Sequence, residues 1–101
     1  MTAVPDLSDW VGPVLQKGPA ADAVVAAIRE LNHAVVVVDR GSYLRVLSPR
    51  RCRVTSAAVA QHAGAPFTLP SDLELVMSSF KGFFEVSEDE AVWKLGESMP
   101  E

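Results

Sequence analysis

Residues 34–47, AVVVVDRGSYLRVL, constrain this chain more than any other stretch. Four successive valines suit a pleated, half-buried surface, because branching at Cβ is better accommodated in a strand than in a helix. Asp39-Arg40-Gly41 supplies a tight turn, with Gly41 able to take the positive φ that a short hairpin loop needs. A second strand follows, carrying Tyr43 and Arg45. The segment predicts a β-hairpin, yet it contains no histidine, no cysteine and no glycine-rich phosphate cradle.

The remaining elements are read around this hairpin. WVGPVLQ, residues 10–16, is a short apolar run interrupted by Gly12 and Pro13, and a proline without a ladder donor predicts an edge strand. Gly18-Pro19 marks a helix start. Val24, Ala27, Ile28 and Leu31 then fall at the spacing of one buried helical stripe, and Asn32 is placed to cap its end. Pro49-Arg50-Arg51 marks a break, after which CRVT predicts a strand. Thr55 or Ser56 is expected as the N-cap of a helix running to Gly64. Ser71-Asp72-Leu73-Glu74 fits a capping box, with serine at the cap. At the end, Phe80, Gly82, Phe84 and Val86 alternate onto one face, matched after a Ser-Glu-Asp-Glu turn by Ala91, Trp93 and Leu95.

The order is strand, helix, hairpin, then strand, one or two helices, hairpin. This predicts an α+β fold of two β-α-β-β-like units, forming antiparallel sheets packed with two to three helices. A chain of 101 residues is the size of one domain. We expect that domain over residues 10–96, between a flexible N-terminal tail (1–9) and a C-terminal tail (97–101).

Composition narrows the function classes. Hydrophobic residues make up 49 % and charged residues 22 %, which separates the chain from disordered tails. The net charge of −4 argues against nucleic acid as a partner, since phosphate binding wants a basic footprint. Arg40, Arg45, Arg50, Arg51 and Arg53 nonetheless cluster, while Glu85, Glu88, Asp89 and Glu90 crowd the last hairpin. No segment reaches the roughly 20 apolar residues of a membrane span. No signal peptide is apparent, and the lone Cys52 cannot form an internal disulfide, so a cytoplasmic setting is expected.

Candidate chemistry is sparse. His33 and His62 each stand without a second ligand at metal spacing, so neither cofactor nor metal is expected. Arg51 and Arg53 flank Cys52, but in a strand they face away from it, and burial of the thiol is the simpler reading. No serine sits in a nucleophile elbow, and the acidic hairpin lacks the glycine-containing loop of a calcium site. The residues therefore predict a binding or regulatory module with no catalytic site.

Four segments together resemble one known family: VGPVL (11–15), DRGSYLRV (39–46), GAPFTLPSDLE (64–74) and SSFKG (78–82), the last followed by the acidic hairpin and VWKL. Their order and spacing, over about residues 10–95, are similar to the effector (coupling or regulatory) proteins of bacterial soluble diiron multicomponent monooxygenases of the methane, phenol, toluene and alkene types. The resemblance implies a cofactorless protein that binds the diiron hydroxylase component, tunes its active site, oxygen activation and substrate access, and is linked functionally to a ferredoxin and/or reductase. Methane-type effectors carry a longer N-terminal tail than the nine residues before Trp10, which points towards the phenol, toluene or alkene types. The competing reading is a small-ligand-sensing regulatory domain, since β-α-β-β repeats also build such modules.

Within this pattern, two glycine-bearing segments are the candidate hydroxylase-binding residues: Val11, Gly12 and Pro13, and Ser79, Phe80, Lys81 and Gly82. Glycine inside a strand marks either a bend needed for packing or a close approach of partner backbone. On the second alternative, a bulky side chain at Gly82 is expected to block docking and leave the fold intact.

Overall fold

The computed structural model describes residues 8–96, so the expected tails over 1–9 and 97–101 fall almost wholly outside the described residues. The elements run β1 (Trp10–Gln16), α1 (Pro19–Leu31), β2 (Val36–Asp39), β3 (Tyr43–Pro49), β4 (Arg51–Thr55), α2 (Ser56–Ala63), α3 (Ser71–Val76), β5 (Met77–Lys81), β6 (Phe83–Val86) and β7 (Glu90–Lys94). A four-stranded antiparallel sheet has the order β2-β3-β1-β5, and a three-stranded one the order β4-β7-β6. This is an α+β fold. Each β-α-β-β-like unit supplies most of one sheet, and the second unit gives β5 to the sheet of the first.

The valine hairpin forms as expected. Gly41 has φ 91°, its N–H donates to the Asp39 carboxylate at 2.9 Å, and the Arg40 N–H donates to the Tyr43 carbonyl at 2.8 Å. Lys17 reaches the same carboxylate at 2.9 Å. That ion pair, with the Gly41 N–H, holds the Asp39 carboxyl below its ordinary value.

Strand β1 departs from expectation. It lies between β3 and β5 in the middle of its sheet, not at an edge. The ladder to β3 pairs Val11 with Ser48 and Val14 with Arg45 but skips Gly12 and Pro13, so the missing proline donor falls in a gap. Gly12, at φ 152°, lies so close to the Val46 carbonyl that a Cβ would overlap its oxygen. Only glycine lets β1 cross β3 this closely.

Two corners carry the chain between the sheets. Between β3 and β4 the corner is Arg50, at φ 69°, whose N–H donates to the Asp9 carbonyl at 2.8 Å and whose carbonyl accepts from the Leu95 N–H at 2.9 Å. Between β5 and β6 it is Gly82, at φ 108°. The expected continuous strand from Phe80 to Val86 is therefore two strands in two sheets. Its aromatic face survives the turn: the Phe80 and Phe84 ring centroids are 5.2 Å apart, and Phe84 stacks on Trp93 at 5.3 Å.

Helix α1 starts on Pro19 and buries Val24, Ala27 and Ile28, with Leu31 packed partly against them. It packs on α2 and β4. Asn32 does more than cap it. Its amide N–H2 donates to the carbonyls of Ile28 (2.7 Å) and Arg53 (2.9 Å), and its Oδ1 accepts from the Arg53 N–H at 3.1 Å. One side chain thus ends a helix and fastens it to β4. Thr55, not Ser56, caps α2 by accepting from the Ala58 N–H, and Gly64 closes that helix at φ 72°. The capping box expected at Ser71 is absent. Ser71 is the first helical residue, Pro70 holds the cap position, and Asp72 accepts instead from the Thr68 N–H at 2.8 Å. The core joins both sheets to the helices through Leu15, Val24, Ile28, Val46, Val54, Val59, Leu73 and Trp93.

Candidate docking surface

The strand register decides which side chains reach the solvent. Val11, Pro13 and Leu15 of β1 point inward and are fully buried, leaving Gly12, Val14 and Gln16 on the outer face. Directly opposed residues share a face, so the outer face holds Tyr43, Arg45 and Leu47 of β3, Ser79 and Lys81 of β5, and Val36 and Val38 of β2. One cross-strand row reads Val38, Arg45, Val14, Ser79. This explains why β2 has valines at 36–38, half-buried on both sides: Val37 packs against the core while Val36 and Val38 line the open face.

The two sequence-predicted segments come together here. Gly12 pairs with Lys81 and Pro13 with Phe80 across β1 and β5. Around them lies an open cleft of about 490 Å³, with Leu47, only 2 % exposed, in its lining beside Tyr43 and Arg45. The seven candidates are not equivalent. Val11 and Pro13 spend their side chains on the core, and Gly12 shapes the lining by its close crossing. Ser79, Phe80 and Lys81 lie at the surface, with Phe80 43 % exposed. Gly82 is the corner. A Cβ there would sit 2.7 Å from the Lys94 carbonyl oxygen and 2.8 Å from a Val11 methyl, so the expectation that a bulky residue leaves the fold intact is corrected.

Tyr43, Arg45 and Leu47 were not among the sequence candidates. Their signal is the two-residue period of β3, which sets them on the face opposite Leu44, Val46 and Ser48.

Elsewhere several of the polar residues have structural partners. His62 lies 3.0 Å from Glu30, joining α2 to α1, and Arg53 pairs with Glu90 at 2.6 Å across β4 and β7. In the acidic hairpin, Ser87 Oγ accepts from the N–H groups of Asp89 and Glu90, both at 3.2 Å. Among the described residues, no three His, Cys, Asp or Glu side chains are grouped to hold a metal. Cys52 is buried, and desolvation pushes its thiol up to about 12, so it is protonated at neutral pH. No described helix is long and apolar enough to cross a membrane.

The chain is 42 % identical over 85 residues to the effector subunit of the alkene monooxygenase system of Xanthobacter autotrophicus, covering 82 % of this chain and 83 % of that protein. Its fold matches a chain in the structure of a phenol hydroxylase–regulatory protein complex, with a TM-score of 0.77 at 14 % identity, over 86 % of this chain and 99 % of that one. It also matches regulatory protein B of soluble methane monooxygenase, with a TM-score of 0.66 at 19 % identity, over 94 % of this chain and 71 % of that one. Residues 9–94 match the family model itself, and the chain belongs to the MmoB/DmpM family.

Proposed function

We propose that this chain is the effector subunit of a multicomponent monooxygenase of the alkene type, and that it binds the diiron hydroxylase component without carrying out chemistry itself. The observation that carries this reading is the 42 % identity to an alkene monooxygenase effector over most of both chains. On this reading the protein acts by binding one hydroxylase conformation better than another, which shifts the population towards the state competent for oxygen and substrate. The open face of the four-stranded sheet is the docking surface. Its half-buried apolar residues Val14, Val36 and Val38 supply surface to bury, over the already buried Leu47, and Phe80 and Lys81 flank them. Electrons reach the hydroxylase through a ferredoxin and/or reductase, and the assembly works in the cytoplasm, in keeping with a single reduced cysteine.

The test is reconstitution. Purified hydroxylase with its electron-transfer components should oxidise an alkene substrate faster, with better coupling to reductant, as this protein is added up to stoichiometry. Turnover independent of its concentration, together with no complex by analytical ultracentrifugation, would sink the reading.

A further inference from the structure

We propose that the cleft on the open sheet face receives a carboxylate side chain of the hydroxylase, which pairs with the guanidinium of Arg45. The inference rests on the effector reading above and specifies the chemistry of its contact. It starts from an imbalance. Arg45 is half-buried in the middle of the sheet, between Val38 and Val14 in the cross-strand row, with Tyr43 and Leu47 two residues away on its own strand. Among the described residues its side chain makes no ion pair and no hydrogen bond. Arg53 pairs with Glu90 at 2.6 Å, Lys17 with Asp39 at 2.9 Å, and Lys94 with Glu85 at 3.2 Å. Arg29, Arg40 and Arg51 make no ion pair among the described residues either, but all three are exposed, whereas Arg45 is half-buried.

The cleft itself selects for negative charge. Its lining includes Arg45, Lys81, Tyr43, Ser78 and Ser79, and no aspartate or glutamate. This is a basic spot on a chain whose net charge is −4. Half-buried among valines and a leucine, Arg45 has part of its surface withdrawn from water before any partner arrives. It therefore gives up less on binding an anion than a fully solvated lysine does. Its planar fork matches a carboxylate with two parallel N–H···O bonds, and the apolar rim would keep water from the pair once the partner closes over it. An acidic side chain projecting from a helix of the partner suits a cleft this open.

The experiment measures the half-saturating concentration of this protein for activation of the hydroxylase, and the affinity of the complex by fluorescence titration, at low and high ionic strength. Arg45→Gln keeps a long side chain and removes the charge; it should raise both constants roughly ten- to a hundredfold and flatten their salt dependence. Arg45→Lys should recover only part of the loss, because a point charge cannot make the bidentate pair. Arg45→Glu should be the weakest of the three. Thermal melts of all three are read alongside, and Arg45→Lys keeps the test decisive if Arg45→Gln melts low.

If the wild type activates the hydroxylase while Arg45→Gln and Arg45→Glu titrate as the wild type does, the carboxylate contact is wrong and the effector reading stands. Altered self-association with unchanged hydroxylase binding would assign the cleft to a second copy of this chain and overturn the inference. If the wild type neither binds nor activates, the effector reading fails and the contact fails with it.

Discussion

Gly82 is packed against the backbone of Lys94: a Cβ on Gly82 would come within 2.7 Å of the Lys94 carbonyl oxygen, an approach that side chains do not make. The contact lies where the chain leaves the four-stranded sheet and enters the three-stranded one, and Lys94 pairs with the neighbouring Phe83. The φ of 108° adds a second reason for glycine, since residues with a Cβ rarely adopt it. Gly82→Ala should destabilise the protein by roughly 1–3 kcal/mol, from backbone strain and overpacking together. Gly82→Trp should collapse the melt. Denaturant unfolding checks both, and a Gly82→Trp protein with wild-type stability would return the position to the list of docking probes.

Asn32 carries the join between α1 and β4, with three hydrogen bonds from one amide. Asn32→Ala leaves the Arg53 N–H without its acceptor in a partly buried position, a loss of about 1–3 kcal/mol. Asn32→Asp keeps an acceptor for that N–H but cannot donate to the Ile28 and Arg53 carbonyls, so it should recover little. Hydrogen exchange at Arg53 is the sensitive readout: its amide should lose protection in Asn32→Ala and keep it in Asn32→Asp.

Much of this arrangement was legible in the residues. The valine hairpin, the Val24–Ala27–Ile28 stripe and the pairing of Phe84 with Trp93 follow from local periodicity and turn chemistry, which act over a few residues. The corners at Arg50 and Gly82 were not legible. Whether a strand continues or changes sheets depends on what packs on it from distant parts of the chain, here Asp9 and Leu95 around Arg50 and Lys94 around Gly82. Pro13 misled for the same reason: an interrupted ladder in the middle of a sheet looks, along the chain, like an edge. The candidate face was half legible. Its two glycine-bearing segments were picked out, but Arg45 gains meaning only once β1 and β5 are laid beside β3.

Trp93 is fully buried, stacked on Phe84, with its indole N–H lacking a hydrogen-bond partner. Trp93→Ala should cost roughly 3–5 kcal/mol, the range for a large aromatic removed from a core. Trp93→Phe should cost clearly less, because it retains one ring against Phe84 and also removes the unpartnered donor. Equilibrium urea unfolding of the two variants tests the order; equal losses would show that a single ring at this position gains nothing from packing on Phe84.

Cys52 gives a prediction in pH. Its thiol titrates near 9.0 in the unfolded chain and is pushed up to about 12 in the fold by desolvation alone. Below pH 9 the thiol is protonated in both states, and its burial adds no pH dependence. Between about pH 9 and 12 the unfolded chain loses the proton and the folded one keeps it, so the unfolded state is favoured increasingly as pH rises. Stability should fall across that window, and Cys52→Ala should flatten the fall while costing some packing at every pH. The same burial makes the thiol unreactive: at pH 8 a disulfide reagent should label Cys52 only as fast as the protein opens, and in denaturant at once. Rapid labelling of the native protein, or identical alkaline profiles for wild type and Cys52→Ala, would contradict a thiol sealed into β4 against the core.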